Sequence, residues 1–359
     1  MSEDKKRDRK SNEAKRRFRR FWSTFAIVAI ICCLIWKIIL WHCRSPDEQL
    51  AAIEASLAIP DSENAGVAYR KLAEDYLPLP TDPPVVNKQI LSLTREEPWN
   101  SDDYPKLADW LDKRQDLISK LLEISKMKKC RLPILSDRQQ ASYFTNPVRQ
   151  MHGWSYLLVR SANMDAAEGR MDAAIEKYTC ILQMGSHLRQ QPVPAYYNNG
   201  VAKESLALNA LMEFVTQTEL TDKQLTAIET ALLPPKNKWK QDSRILLKVQ
   251  RLLANKQRKW FRIIDWRRYW EHWKIISKHD DYSLNITRRF HLNTLADRRR
   301  MYILIALRRY KNKTGLWPQN LDRIKPSLSK ETLTDPVNNK LFIYELTGED
   351  FTLSDRGAK

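Results

Sequence analysis

The sequence FWSTFAIVAIICCLIWKIILW occupies residues 21–41 and contains a single charged residue, Lys37. A helix rises about 1.5 Å per residue, so this run would span roughly 30 Å, the thickness of a bilayer's hydrocarbon core. Trp22 and Trp41 lie near its two ends, where indole rings favour the lipid headgroup region. We therefore expect residues 21–42 to form one transmembrane signal anchor.

The segment before this run is strongly basic. Residues 1–20 hold ten Lys or Arg and four Asp or Glu, a net charge of +6. Positive flanks stay on the cytoplasmic side of a membrane, so we expect a basic cytoplasmic tail. This orientation predicts a single-pass protein of the cytoplasmic (inner) membrane, with its N-terminus in the cytoplasm and its C-terminal domain outside.

Two other interpretations of the apolar run are less favoured by its flanks. A cleaved signal peptide needs small residues at the cleavage site, and bulky Trp41 and His42 occupy that place. His42 also disfavours a lipoprotein signal ending at Cys43. A buried helix of a soluble protein would rarely combine this length with such a basic flank.

Composition predicts a mainly α protein. Only 8 of the 359 residues are Gly, whereas Rossmann turns, P-loops and tight β-hairpins all depend on Gly. We expect residues 43–290 to form an extracytoplasmic domain of helical hairpins with short connections. Outside the span and its edge, Cys130 and Cys180 remain. Two separate buried thiols are favoured over a disulfide, and the sequence leaves both alternatives open.

Capping signals mark two helices in this domain. Ser45, Pro46 and Glu48 fit an N-cap, a first helical residue and the third position of a capping box. Thr221 and Gln224 form a second capping box, before a helix expected at about 222–233. The other predicted elements are helices at about 63–77, 104–128 and 195–216, and a Pro-rich loop at 78–88.

The sequence MDAAEGRMDAAIEKYTCIL, residues 164–182, resembles the turn of a tetratricopeptide (TPR) hairpin. A helix is expected to begin at Asn146-Pro147 and end near Gly169, and the next to begin at Met171. The small and aromatic residues at the spacing of that repeat are Ala162, Gly169, Ala174 and Tyr178. The resemblance implies a TPR-like hairpin, although no second copy follows at a 34-residue period.

A basic, Trp-rich segment dominates the charge of the domain. Residues 236–278 hold 14 Lys or Arg and three Asp or Glu, a net charge of +11. Ile263, Trp266, Trp270 and Trp273 follow helical spacing within an expected helix at 256–276. The candidate contact surface comprises Arg262, Trp266, Arg267, Arg268, Trp270, Trp273 and Lys274.

Two interpretations of this segment remain open. Trp residues settle at lipid headgroups while Lys and Arg meet anionic lipid or an acidic polymer, which favours a binding surface. Alternatively, the Trp stripe packs into the domain and the Arg stems cover its rim. Nucleic acid is not expected as a partner if the domain faces away from the cytoplasm.

The C-terminal sequences RRRMYILIALRRYKNKTGLWPQNLDRI (298–324) and LTDPVNNKLFIYELTGEDFTLSDRG (333–357) resemble the C-terminal part of the type II secretion major pseudopilin. The resemblance implies a small α+β module at 291–359: a long helix, a Gly-aromatic-Pro turn, an Asp-Pro loop and a β-hairpin with strands at 341–346 and 351–354. The chain has Arg20-Phe21 where that family has its Gly-Phe peptidase site. Only the local fold is therefore carried over, without pilus assembly or calcium binding.

The whole pattern of anchor, helical hairpins and C-terminal module also resembles a group of bacterial membrane-anchored helical proteins, which implies an envelope protein. None of the six His residues fits H-E-x-x-H or a zinc spacing, and G-x-S-x-G is missing. The His279-Asp280-Asp281 triplet is better explained as loop polarity than as a phosphohydrolase pair. We therefore expect no catalytic activity, no cofactor and no metal site.

Three hypotheses about function follow, in this order of preference. The first is a membrane-tethered scaffold or interaction module that binds another envelope protein. The second is a membrane-apposed binder of anionic lipid or acidic polymer through the basic Trp-rich helix. The third is an enzyme whose site is assembled from scattered residues.

Overall fold

The computed structural model describes residues 30–34, 36, 45–76, 87–134, 147–234, 236–257 and 266–354, without the side chains of 254–257 and 266–283. These residues are mainly helical and end in a two-stranded antiparallel sheet. The helices are α1 (Pro46–Ser56), α2 (Ala65–Asp75), α3 (Lys88–Glu96), α4 (Pro105–Asp112), α5 (Gln115–Ser125), α6 (Pro147–Ala167), α7 (Met171–Arg189), α8 (Pro194–Gln217), α9 (Asp222–Ala231), α10 (Trp239–Gln257) and α11 (Trp266–Thr314). The strands are β1 (Ile343–Thr347) and β2 (Asp350–Ser354).

The two predicted capping boxes are confirmed. The Ser45 hydroxyl accepts from the Glu48 backbone N–H, and the Glu48 carboxylate accepts from the Ser45 N–H at 2.9 Å. Thr221 and Gln224 make the same reciprocal pair at the start of α9. Each box satisfies backbone donors that the first turn of a helix leaves without partners.

The single helix predicted at 104–128 is wrong, because α4 and α5 are separate helices. The Arg114 backbone N–H bonds the Leu111 carbonyl at 2.9 Å instead of the Trp110 carbonyl that a continuing helix requires. The Arg114 side chain donates to the Trp110 carbonyl instead, with Nη1 2.8 Å from the oxygen. The Cζ atom of the same guanidinium lies 4.0 Å from the centroid of the Trp110 ring. The apolar spacing continues through the break, so periodicity alone does not reveal it.

Helices α6 and α7 form the hairpin that the sequence predicts around Gly169. Gly169 has a φ of 78°, and the Arg170 N–H bonds the Asp165 carbonyl at 2.8 Å, as in a Schellman motif. Between the two helices, Tyr178 donates a hydrogen bond to Asn163. Asp165 is buried and paired with Lys177 and Arg170.

Helix α8 lies close against α7 and carries the central core. A Cβ atom placed on Gly200 would lie 2.6 Å from the Gly185 carbonyl oxygen, so the backbones approach where both residues lack side chains. Apolar side chains of both helices, among them Tyr178, Phe214 and Leu208, are almost fully buried in the main core. This close approach fixes the position of α8, on which α11 then packs.

Helix α11 joins the hairpin domain to the C-terminal module. It runs without interruption across residue 290, so the division expected there falls inside one helix. Its Met301, Leu304 and Ile305 belong to the main core, whereas Ile303 and Leu307 belong to the core of the module. Opposite faces of α11 thus pack into two separate hydrophobic cores.

The C-terminal module has the predicted order of helix, turn, loop and hairpin. Gly315 and Gly348 take positive φ values of 80° and 65°, which end α11 and turn the hairpin, respectively. The strand predicted from 341 begins at Ile343, because the Phe342 N–H bonds the Leu333 carbonyl at 3.1 Å instead of pairing with β2.

The predicted span at 21–41 lies mostly outside the described residues, which include only 30–34 and 36 of it. Those residues are helical, and their side chains are exposed. Among the residues that the structure describes, no helix combines the length and the apolar character needed to cross a bilayer.

Candidate functional site

The predicted contact surface is placed only in part. Arg262 lies outside the described residues, as does the whole connection 258–265 between α10 and α11. The remaining members lie in the first turns of α11, and their side chains are outside what the structure describes. They are Trp266, Arg267, Arg268, Trp270, Trp273 and Lys274.

Helix α10, the described part of the basic segment, has two distinct faces. Leu246, Val249 and Leu252 are buried. Lys240, Arg244, Lys248 and Arg251 are exposed and spaced by four, four and three residues, so they form one stripe on the opposite face. We call these four residues the basic stripe. The charge of this segment is evident from the sequence, but this face was not among the predictions.

The apolar face of α10 packs against α1, the first helix after the predicted anchor. Leu50 and Ile53 of α1 form a small buried cluster with Val249 and Leu252 of α10. Ile53 lies eight residues from the N-cap Ser45, which corresponds to about 12 Å along a helix. This contact holds α10 close to the point where the chain leaves the predicted span.

The N-terminal end of α10 packs on α8 and α11. The Trp239 ring lies 6.4 Å from the ring of Tyr197 and 5.5 Å from that of His291, between centroids. Trp239 is thus a packing residue, whereas the side chains of the Trp stripe, to which the two interpretations apply, lie outside those that the structure describes. The aromatic contact places α10 at the junction of α8 and α11.

Beneath this junction lies a buried ionic cluster. Glu204 of α8 accepts from Arg298 of α11 at 2.7 Å and pairs with Arg189 of α7. Glu204 and Arg298 are only 2% and 3% exposed. One carboxylate thereby joins the consecutive helices α7 and α8 to the distant helix α11.

His291 extends this cluster as a neutral acceptor. Its Nδ1 lies 2.7 Å from the Tyr197 hydroxyl and 3.3 Å from Arg189 Nη2. A guanidinium can only donate, so Nδ1 accepts and the proton resides on Nε2, which donates to Asn237 Oδ1 at 3.3 Å. Burial, together with the charges of Arg189 and Arg298, lowers the pKa of His291 to about 3.

The two guanidiniums respond differently to the shared carboxylate. Burial lowers the pKa of Arg298, and the attraction of Glu204 offsets this only in part. At Arg189, burial acts in the same direction, but Glu204 and Tyr197 outweigh it and raise the pKa. The cluster is closed to solvent, so its chemistry suits fastening helices together and does not present a reactive group to a solute.

A groove of about 300 Å³ lies between α7 and α9. Ile175, Thr179 and Ala227 are among its lining residues. Gln224 of α9 donates to Asp172 Oδ1 of α7 at 2.8 Å, so the groove lies over a contact that holds α9 in place. It is remote in sequence from the predicted contact surface.

Other candidate chemistry is limited in the part of the chain that the structure describes. Within it, no group of three or more His, Cys, Asp or Glu side chains is placed to hold a metal ion. Cys130 and Cys180 are free, buried thiols. No protein family, curated protein or solved structure matches this chain.

Sequence reasoning missed the ionic cluster and the basic stripe for different reasons. Glu204 and Arg298 are 94 residues apart, and nothing local to either predicts their pairing. The basic stripe had a usable signal, because Lys240, Arg244, Lys248 and Arg251 follow helical spacing opposite apolar residues. The predicted surface relied instead on the Trp residues of the same segment.

Proposed function

We propose that this protein is a membrane-tethered helical scaffold or interaction module of the bacterial envelope. A single helix over residues 21–42 anchors it in the cytoplasmic membrane, with the tail 1–20 inside and the folded domain outside. The observation that carries the proposal is the apolar run itself, with its net flanking charge of +6. Its described side chains support a lipid environment, since Ile30 and Trp36 are 60% and 65% exposed on a helix.

The folded domain is suited to present a fixed surface to a partner. Helix α11 belongs to both the main core and the core of the C-terminal module, and Arg298 fastens it to Glu204 of α8. Arg299 also reaches the module, donating to the Thr334 carbonyl at 2.7 Å. Because these contacts hold the module in place, a partner that binds the module is also held in a fixed position relative to the hairpin domain.

The partner that we propose is another envelope protein, and the surface is the C-terminal module. Large apolar side chains of this module are exposed: Leu316 by 73%, Leu341 by 51% and Val337 by 50%. All three belong to the C-terminal module, and exposed apolar residues that form a contiguous patch mark interaction surfaces. The resemblance of the sequence of α6 and α7 to a TPR hairpin supports a binding role that needs no cofactor and no catalytic group.

Affinity capture after cross-linking in intact membranes tests this role. The intact chain is compared with a Leu316→Gln/Leu341→Gln variant and with a control, Leu93→Gln/Ile286→Gln, at apolar positions that are 39% and 37% exposed elsewhere. We expect one protein partner to be captured by the intact chain and the control, and to be lost from the module variant. Equal capture by all three would contradict the assignment of this surface.

A second candidate function is the binding of anionic lipid or acidic polymer by the helix expected at 256–276. The observation that favours it is the exposed basic stripe on α10, in the same segment. Trp266, Trp270 and Trp273 would then settle at headgroups beside these charges.

A further inference from the structure

We infer that the outer edge of β1 binds an extended segment of the partner protein as an additional strand. The segment that fits this edge carries a Lys or Arg between two apolar residues. This inference deepens the proposed function and rests on it, because it names the chemistry by which the C-terminal module would recognise its envelope partner. Four features of the β-hairpin lead to it in turn.

The first feature is the direction in which the backbone groups of β1 point. Ile343 pairs with β2, whereas the preceding residue, Phe342, donates its N–H to the Leu333 carbonyl at 3.1 Å. Successive residues of an antiparallel strand point their backbone groups to opposite edges. By the same alternation, the N–H and C=O groups of Tyr344 and Leu346 point away from β2, toward the outer edge.

The second feature is that the chain itself covers only the beginning of this edge. There the Asp335 N–H also donates to the Lys340 carbonyl, at 2.7 Å. Farther along, the backbone groups of Tyr344 and Leu346 have no hydrogen-bond partner among the residues that the structure describes. An unpaired strand edge is a template on which another extended chain can pair. The groups left to be satisfied thus specify a strand as the partner element.

The third feature is the apolar face of the hairpin. Alternate residues share a face of a strand, so Tyr344 and Leu346 lie on the same side. This side packs on the core of the module, where the rings of Phe351 and Trp317 are 4.6 Å apart between centroids. Tyr344 is partly buried there, but Leu346 remains 37% exposed. A partner strand would place its own side chains beside these two residues, and apolar side chains fit both positions.

The fourth feature is Glu345, which lies between these two residues and on the opposite face. Its side chain is exposed and has no ion pair within the described part of the chain. In an antiparallel strand bonded to Tyr344 and Leu346, the central residue lies directly opposite Glu345. A Lys or Arg is favoured at that position, and an acidic residue is disfavoured.

The same carboxylate argues against a second copy of this chain as the occupant. Two copies of β1 bonded through Tyr344 and Leu346 would place the Glu345 side chains of both copies opposite each other. Like charges directly opposite one another destabilise a strand pair. The occupant that fits is therefore a different protein, with a basic residue between two apolar residues.

Photocross-linking of defined peptides to the full chain in mild detergent tests this inference. The probe has the core sequence Thr-Val-Lys-Val-Thr and a benzophenone group at its N-terminus. One control peptide has Glu in place of Lys. A second control peptide is methylated on the backbone nitrogen of both Val residues, which removes the donors that would bond to β1. The covalent yield is measured against peptide concentration, and mass spectrometry locates the labelled residues.

Two pairs of variants separate the backbone contribution from the charge contribution. Leu346→Pro and Leu346→Ala both remove most of the side chain, but only Pro also removes the backbone donor. Glu345→Lys reverses the charge opposite the Lys of the peptide. Glu349→Lys makes the same change at an exposed position in the turn of the hairpin, as the matched control.

We expect the Lys peptide to label the β1 edge of the intact chain. Its half-maximal concentration should be about threefold to tenfold lower than that of the Glu peptide, because the cross-strand charge pair changes sign. Methylation of the peptide should raise this concentration at least about fivefold, and Leu346→Pro should bind at least about fivefold more weakly than Leu346→Ala. Glu345→Lys should reverse the preference between the Lys and Glu peptides, and Glu349→Lys should preserve it.

Three outcomes would overturn the inference. Equal labelling by all three peptides would show that the contact is neither a strand pair nor charge-selective. Equal binding of the Lys peptide to Leu346→Pro and Leu346→Ala would show that the edge donor is not used. A full chain that sediments as a dimer, and as a monomer only after Leu346→Pro, would show that a second copy occupies the edge.

Affinity capture from cross-linked membranes separates this inference from the proposed function. A partner captured equally by Leu346→Pro and by the intact chain, but lost from Leu316→Gln/Leu341→Gln, would keep the envelope interaction and overturn the β1 edge as its site. Selective peptide labelling without any captured protein would support strand binding at the edge and overturn the proposed envelope partner.

Discussion

Arg298 of α11 donates from Nε to Glu204 Oε1 of α8 at 2.7 Å, and both side chains are almost completely buried. The same carboxylate pairs with Arg189 of α7. This contact fastens the long helix that carries the C-terminal module to the two central helices of the hairpin domain. Loss of the Arg298–Glu204 contact should therefore lower the stability of the whole domain, and not only that of one helix.

Replacing Arg298 with Met should lower the free energy of unfolding by about 2 to 3 kcal/mol, because it removes buried charged hydrogen bonds to Glu204 and to the Pro234 carbonyl while Arg189 still pairs with Glu204. Urea unfolding of the full chain in mild detergent measures this. Arg309→Met is the matched control on the same helix, since Arg309 pairs at 2.8 Å with Glu229 and both side chains are about one third exposed. The control should lose less than about 1 kcal/mol. Equal losses would show that the buried pair has no special role.

His291 should make the domain less stable in mild acid. Its pKa is about 3 in the folded state, against about 6.5 in an unfolded chain. Between these values the unfolded chain binds the proton and the folded chain does not, so stability falls as pH falls, by up to about 1.4 kcal/mol per unit. Urea unfolding at pH 7 and pH 5 should show a smaller loss for His291→Gln than for the intact chain. The same loss in both would contradict the buried neutral histidine.

Gly200 should tolerate no side chain. A Cβ atom at this position would lie 2.6 Å from the Gly185 carbonyl oxygen, so Gly200→Ala must push α7 and α8 apart, at a cost of about 1 to 3 kcal/mol. Asn199→Ala, one position earlier on the same helix, serves as the control and should change stability by less than about 1 kcal/mol. Thermal unfolding followed by circular dichroism compares the two. A stable Gly200→Ala variant would argue against the close approach.

Cys130 and Cys180 should resist alkylation in the folded chain. Burial raises the pKa of each thiol to about 12, and only the thiolate reacts readily. Iodoacetamide at pH 8 should leave both unmodified until denaturant is added, and peptide mass spectrometry then locates the label. The same chain in denaturant, where both thiols should react, provides the internal comparison. If both buried residues react in denaturant only after reduction, they form a disulfide instead.

Local signals in this sequence predicted local structure well. The capping boxes at Ser45 and Thr221 begin helices where expected. Gly169 ends α6, and Gly348 turns the C-terminal hairpin. In each case a few neighbouring residues determine the backbone conformation, so no knowledge of the tertiary fold was required.

The sequence did not reveal features that depend on distant partners or on side-chain competition. At the break between α4 and α5, the Arg114 guanidinium donates to the Trp110 carbonyl in place of the backbone N–H. The ionic cluster depends on Glu204 and Arg298 meeting across 94 positions. The division of α10 into an apolar and a basic face required both the helix bounds and the knowledge that Val249 packs on α1.

The measurement that tests the central claim most directly is the topology of the chain in bacterial membranes. Alkaline phosphatase, which is active only outside the cytoplasm, and green fluorescent protein, which fluoresces only within it, are fused in turn to the C-terminus. With residues 21–41 in the bilayer and the N-terminus inside, the phosphatase fusion should be active and the fluorescent fusion dark, both in the membrane fraction. A fluorescent fusion in the soluble fraction, with an inactive phosphatase fusion, would contradict the anchor and the roles derived from it.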